Sequence, residues 1–279
     1  MLRSFWILLL VPMLGACPSG GVRRDVKLSH THYLLGSDYI KRKLPQAAKR
    51  ELMSAVELDP KNIDAHYLLG VIFFMEGVNK VNLLERRQCL EGLAAQEQRQ
   101  EANKEFRRCE KYLLNVVKLS EKEKKARSDA LNYLANVSLH FKRHDEAITR
   151  AKRALSNILY ISRHLALGTL GWAYYHKGDL TGAARELRQS IFQEPRFCVG
   201  RYRLAQVYYD QNDYGKAIEE AKQVTEDKAC PIQEAFEVLG LALVKTKQLD
   251  GARTAFETCV KLNPKSCVSE KCRRYAKRI

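Results

Sequence analysis

The chain has 279 residues, 46% of them hydrophobic, with only 7 Pro and 15 Gly, and a formal charge of +16. Abundant Ala, Leu, Lys, Arg and Glu, with few alternating Val and Thr runs, argue against a sheet-rich domain and for helices throughout. Much of the excess charge lies in KEKKAR (122–127) and KCRRYAKR (271–278), read either as solvated helix surface or as a contact for anionic membrane, cell-wall phosphates or an acidic partner. No helix-turn-helix, zinc-finger or RNA-recognition signature accompanies the charge, so nucleic acid is not an expected partner.

The chain begins MLR and continues SFWILLLVPML, an apolar run too short to span a bilayer and broken by Pro12. A basic start, an apolar core and then small residues make a secretory signal. It ends Leu14-Gly15-Ala16-Cys17, the pattern of a bacterial lipobox, in which the Cys becomes the mature N-terminus and carries lipid. Residues 1–16 are therefore expected to be a lipoprotein signal peptide, and residues 17–28 a lipidated Cys17 with a flexible tether. Several acyl chains anchor a protein stably without a membrane-spanning helix. Pro18, not Asp, follows the Cys, so the expected place is the inner leaflet of the outer membrane, facing the periplasm.

Beyond residue 28 the sequence repeats. From Gly36, Tyr39 lies three residues on, then Ala48, Leu52 and Ala55, and Pro60 closes the unit. Gly240 repeats this with Leu243, Ala252, Phe256, Cys259 and Pro264, and Gly171 with Tyr174, Ala183, Leu187 and Pro195. Ala205 leads to Tyr208 and Ala217, Ala135 to Ala147, Ala151 and Ala154, and Gly70 to Phe73. These anchors fall 34, 65, 36, 34 and 35 residues apart. A small residue at each anchor and at its partner lets two helices approach closely, and Pro ends the second helix.

This pattern resembles the tetratricopeptide repeat (TPR), which implies an all-α, right-handed superhelix of helix-turn-helix units. Six units are expected over 29–279: 29–62, 63–116, 128–161, 164–197, 198–231 and 233–266, with 267–279 as a charged capping helix. The second unit carries a helical insertion at about 80–127, in which Ala102, Phe106 and Cys109 resume the second helix.

The junction at 131–179 is more distinctive. NYLANV, the HDEA turn, Leu159-Tyr160 and then LGWAYYHKGD resemble the TPR lipoproteins called type IV pilus pilotins, a group that includes the myxobacterial social-motility lipoprotein. The resemblance implies a non-enzymatic outer-membrane lipoprotein that binds secretin subunits and promotes their localisation and multimerisation. A periplasm-facing scaffold for envelope or peptidoglycan-modifying enzymes is the alternative. No phosphate loop, HExxH, nucleophile elbow or dinucleotide fingerprint is present, and no cofactor is expected. His30-Thr31-His32 has no thiol or carboxylate at supporting spacing, so a metal is not expected either.

TPR superhelices commonly bind peptides on the concave wall formed by the first helix of each unit. Positions three before, and one and four or five after, each anchor are expected to face it. These are Tyr33, Ser37, Tyr67, Val71, Phe74, Asn132, Asn136, Trp172, Tyr175, His176, Tyr202, Gln206 and Tyr209. Aromatic rings with interspersed amides suit a peptide, supplying apolar area and backbone hydrogen bonds.

Seven cysteines follow Cys17, and export would expose them to oxidation. Cys198 and Cys230 lie at the meeting ends of one antiparallel pair and are the best disulfide candidates. Cys259–Cys272 and Cys267–Cys272 compete, and Cys89–Cys109 would need a turn near Glu91-Gly92. One thiol must remain over.

Overall fold

The computed structural model describes residues 24–120 and 124–279. Among them are thirteen α-helices and no strand. Twelve form six antiparallel pairs. These are α1 (Val26–Lys41) with α2 (Pro45–Leu58), α3 (Ile63–Asn82) with α4 (Gly92–Leu119), and α5 (Lys124–His140) with α6 (His144–Leu155). They continue with α7 (Arg163–His176) and α8 (Leu180–Gln193), α9 (Cys198–Asp210) and α10 (Tyr214–Thr225), and α11 (Gln233–Lys245) and α12 (Leu249–Leu262). A last helix, α13 (Cys267–Ala276), covers α12.

The expected signal peptide, Cys17 and most of the expected tether lie outside the described residues. The end of that tether is helical, which shortens it. Asp25 caps α1 by accepting from the Leu28 N–H at 2.9 Å, and Arg24 pairs with the buried Asp59 at 2.7 Å.

Each pair closes on a small residue. A Cβ at Gly171 would stand 2.7 Å from Leu187 Cγ and 3.1 Å from the Ala183 carbonyl oxygen, and one at Gly240 would stand 2.4 Å from the Phe256 ring. Ala147, Ala183, Ala217 and Ala252, on the second helices, have no exposed surface. The turn inside five of the units is also shared. Lys43, Lys142, Gly178, Asn212 and Lys247 all adopt positive φ. The next N–H then reaches back to a carbonyl five residues earlier, as in Asp179 to Tyr174 at 3.0 Å and Asp213 to Tyr208 at 2.9 Å. That is the Schellman closure, which satisfies carbonyls left open at a helix end.

The second unit departs from this plan. Helix α3 runs on into a π-helical stretch, Leu83–Arg87, and the chain turns back at Gly92, where φ is +63°. The resumed register differs from the Ala102–Phe106–Cys109 expectation. Gly70 packs against Leu113, so Cys109, Leu113 and Val116 take the places of Ala48, Leu52 and Ala55, while Ala102 and Phe106 lie deeper in a lengthened hairpin facing Gly77. Adding whole turns to both helices leaves the periodic pattern intact and shifts only its phase.

Among the described residues, three disulfides bind the chain. Cys198–Cys230 joins the ends of α9 and the α10–α11 connection, and Cys259–Cys272 ties α12 to α13. The third corrects two expectations. Cys89 pairs with Cys267 across 178 residues, their Cα atoms 4.6 Å apart, which leaves neither Cys89–Cys109 nor Cys267–Cys272. Cys109 is fully buried between α3 and α4 as a free thiol, pushed far above its ordinary pKa by that burial. The reason is spatial: the array curves until the tip of the long hairpin meets the start of α13. There Arg86 also pairs with Glu234 at 2.9 Å, and Asn263 Nδ2 donates to the Arg86 carbonyl.

Two buried polar side chains tie neighbouring elements together. Arg150, 9% exposed, reaches Glu110 at 3.1 Å, Glu146 at 2.5 Å and Ser138 Oγ at 2.8 Å, tying α4, α5 and α6 together. Gln233 Nε2 donates to the Cys259 carbonyl at 2.6 Å and Ser269 Oγ at 2.7 Å, fixing α13 on the last pair.

Two outcomes are expected. Gly171→Leu overpacks a backbone-to-side-chain crossing and costs about 3 kcal/mol or more in denaturant titration followed by circular dichroism; unchanged stability would show that the crossing is not close. Replacing Cys89 and Cys267 by Ser removes a constraint on the unfolded chain worth about 5 kcal/mol for so long a loop. The melting temperature then drops by roughly 10 °C or more, and an unchanged melt would show that the pair does not form.

Candidate partner-binding wall

The first helices of successive units lie side by side, and contacts at the repeat spacing join them. Asn136 Nδ2 donates to Thr169 Oγ1 at 3.0 Å, Arg203 Nη1 to the Gly168 carbonyl at 3.3 Å, and the Tyr175 hydroxyl to Asp210 at 2.7 Å. Tyr133 meets Tyr67 and Phe74 edge-on, with ring centroids 6.4 and 5.0 Å away. One cleft of about 240 Å³ is lined from four consecutive first helices: Phe74 of α3, Asn132 and Asn136 of α5, Leu165 and Thr169 of α7, Val199 and Arg203 of α9. A single cavity touched by four side-by-side helices requires a concave wall.

The expected site residues divide into three groups on this wall. Tyr33, Tyr67 and Phe74 are half-buried against the first core cluster, so much of their surface serves packing. Ser37 and Val71 are half-buried beside them on α1 and α3. Asn132 and Asn136 form the polar centre. Asn132 is buried with Oδ1 unpartnered among the described residues, and Asn136 Nδ2 also donates to the Asn132 carbonyl at 2.9 Å. Trp172, Tyr175, His176 and Tyr202 make an aromatic cluster. Trp172 stacks on Tyr175 at 4.5 Å, meets His176 edge-on at 4.8 Å and lies 6.4 Å from Tyr202. At its end, Gln206 donates to Asp210 at 3.0 Å, while Tyr209 turns to Tyr214 and the core.

Burial shapes the chemistry of this cluster. It raises the phenol pKa of Tyr175, with the Asp210 hydrogen bond adding to the effect, and it raises that of Tyr202. Burial lowers His176, helped by the neighbouring His144 and Arg203, so its imidazole is neutral at pH 7. Arg203 is the key member that anchor spacing misses. Its guanidinium lies 5.0 Å over the Trp172 ring, has no ion-pair partner among the described residues, and is pushed down to about 10 by burial and by the charge of Arg86. Arg86 comes from the hairpin tip clasped to α13, so that clasp contributes to the field at the wall.

Arg203, Thr169 and Tyr133 each stand two residues before an anchor, and Val199, Leu165 and Asp129 six before. Those two positions form a second stripe one turn apart, and their recurrence at the repeat spacing was the available signal. Away from the wall, His32 bonds to Glu51 at 2.7 Å through the pairing of α1 with α2, which supplies the carboxylate that local spacing did not. The wall as a whole offers apolar rings, amides and an unpaired cation, a chemistry suited to a peptide segment bearing apolar side chains and a carboxylate.

The fold and its neighbours agree. A tetratricopeptide-repeat family profile matches residues 202–266. Comparison with curated proteins finds no match. Among solved structures, pilF of Pseudomonas aeruginosa is 18% identical with a TM-score of 0.61, covering 89% of this chain and 97% of its own. PilW, described as a widely conserved type IV pilus biogenesis factor, is 16% identical with a TM-score of 0.65, covering 88% and 99%. The Cut9–Hcn1 hetero-tetramer of the APC/C gives 0.64 at 13% identity, covering 90% and 46%. The protein thus has the fold of a TPR solenoid. The third neighbour shows that this architecture by itself does not select a partner.

Proposed function

We propose that the chain is a lipid-anchored outer-membrane pilotin of the type IV pilus machine. Cys17 holds it on the inner leaflet, the concave wall captures a segment of a secretin subunit, and anchorage brings the subunits together at the membrane where they multimerise. The observation that carries this reading is the lipobox at Leu14–Cys17 preceding a six-unit array with the junction at 131–179. Its agreement in extent with two pilus TPR structures supports the same reading. The mechanism needs no covalent chemistry. Trp172, Tyr175 and Tyr202 supply rigid apolar area, Asn132 and Asn136 supply backbone hydrogen bonds, and Arg203 takes a carboxylate. The social-motility lipoprotein of myxobacteria is the pilotin whose role this most closely matches in the proposal.

In a strain lacking the gene, secretin is expected to remain monomeric on heated gels; normal heat-stable multimers in that strain would refute the proposal. Trp172→Ala combined with Tyr175→Ala is expected to weaken secretin capture by about 2 kcal/mol or more, roughly thirtyfold, with helicity by circular dichroism nearly unchanged. A matching loss of helicity would mark these rings as packing residues instead.

A further inference from the structure

The edge of the solenoid on which the first helices begin carries a feature that the concave wall does not use. Between α6 and α7 the chain runs Asn157-Ile158-Leu159-Tyr160-Ile161. Tyr160 is buried, while Ile158, Leu159 and Ile161 are 85%, 78% and 79% exposed. They are held outward by structure. Asn157 Oδ1 accepts from the Leu159 N–H at 3.1 Å, and Arg163 Nη1 donates to the carbonyls of Leu155 and Asn157 at 2.9 and 3.1 Å. Beside Ile158 and Leu159 opens a cleft of about 530 Å³ that also includes Arg127 and Arg153, neither of them ion-paired among the described residues. One unit on, Phe192, in the last turn of α8 at the same end of its unit, is 87% exposed.

Apolar side chains this exposed call for an occupant. They project as an exposed tip at the rim of that cleft, flanked by cations without an ion pair among the described residues, which matches the interfacial region of an anionic bilayer. We infer that this edge docks on the membrane, with Arg127 and Arg153 taking the phosphate of an anionic phospholipid headgroup while Ile158 and Leu159 enter the acyl boundary beside it. The choice of a membrane rests on the anchoring proposed above. Only six residues separate Cys17 from Arg24, and the seven Cα-to-Cα steps reach about 25 Å even when fully extended. The chain also enters the solenoid on this same edge, where the Asp25 N–H donates to the Leu58 carbonyl at 3.1 Å.

The test uses the full chain carrying Leu159→Trp, isolated from membranes and reconstituted into vesicles of phosphatidylethanolamine with phosphatidylglycerol, or of phosphatidylcholine alone, with the unsubstituted chain as baseline. In the anionic vesicles the new indole is expected to emit at shorter wavelength and to be quenched by brominated acyl chains. Adding Arg127→Gln and Arg153→Gln lowers the docked-to-undocked ratio about fivefold per arginine. A vesicle-bound chain whose indole stays equally open to iodide in both compositions overturns the docking and leaves the anchor standing. Failure to associate with vesicles at all overturns both. Release of the indole by millimolar inorganic phosphate would reduce the site to a free-anion site, and loss of secretin capture in Ile158→Ser/Leu159→Ser without any lipid quenching would make it a protein contact; either result overturns the membrane assignment.

Discussion

Everything in this molecule depends on how closely two helices can pass. At Gly171 and Gly240 there is no room for a methyl group, and on the opposing helices the crossing is kept by alanines without exposed surface. That close approach sets the pair geometry, the pair geometry sets the stacking of one unit on the next, and the stacking curves the first helices into a wall. The large side chains around each crossing have separate tasks. Leu187 and Phe256 fill the crossing itself, whereas Trp172, one residue beyond the anchor, is turned out of it.

The architecture was legible because it is local. A period near 34, small residues at fixed offsets and a proline or turn at the unit's end describe contacts within about thirty residues of chain. What escaped was either phase or distance. The register of α4 could not be read because whole turns were added to both helices of its hairpin, leaving the same spacing of apolar residues at a new place. The partnership of Cys89 with Cys267 spans 178 residues and depends on the accumulated curvature of the intervening units, a quantity that no local pattern encodes. Arg203 escaped for a simpler reason: one stripe per helix was assigned to the wall, and the wall is two stripes wide.

Two kinds of surface meet on the wall. Its aromatic cluster is held in place, since Trp172 stacks on Tyr175 and has the Arg203 guanidinium 5.0 Å from its ring centroid. Rings held in advance lose little freedom when a ligand arrives. The polar centre at Asn132 holds an acceptor, Oδ1, unanswered among the described residues, a cost that a donor from a bound peptide backbone would remove. Under the proposed function, a bound chain segment would meet both apolar and hydrogen-bonding parts of this wall.

The clasp between the second unit and α13 has a consequence for how the array comes apart. A linear stack of repeats loses structure from its two free ends, because an end unit has only one neighbour. Joining the α3–α4 hairpin to the helix after the sixth unit makes units two to six a closed circuit, in which no member is terminal. Only the first unit keeps an open flank, and there α1 leaves Val26, Leu34 and Leu35 about half exposed. Fraying is therefore confined to the unit through which the chain enters, and the wall carried by α5, α7 and α9 keeps its shape while the entrance moves.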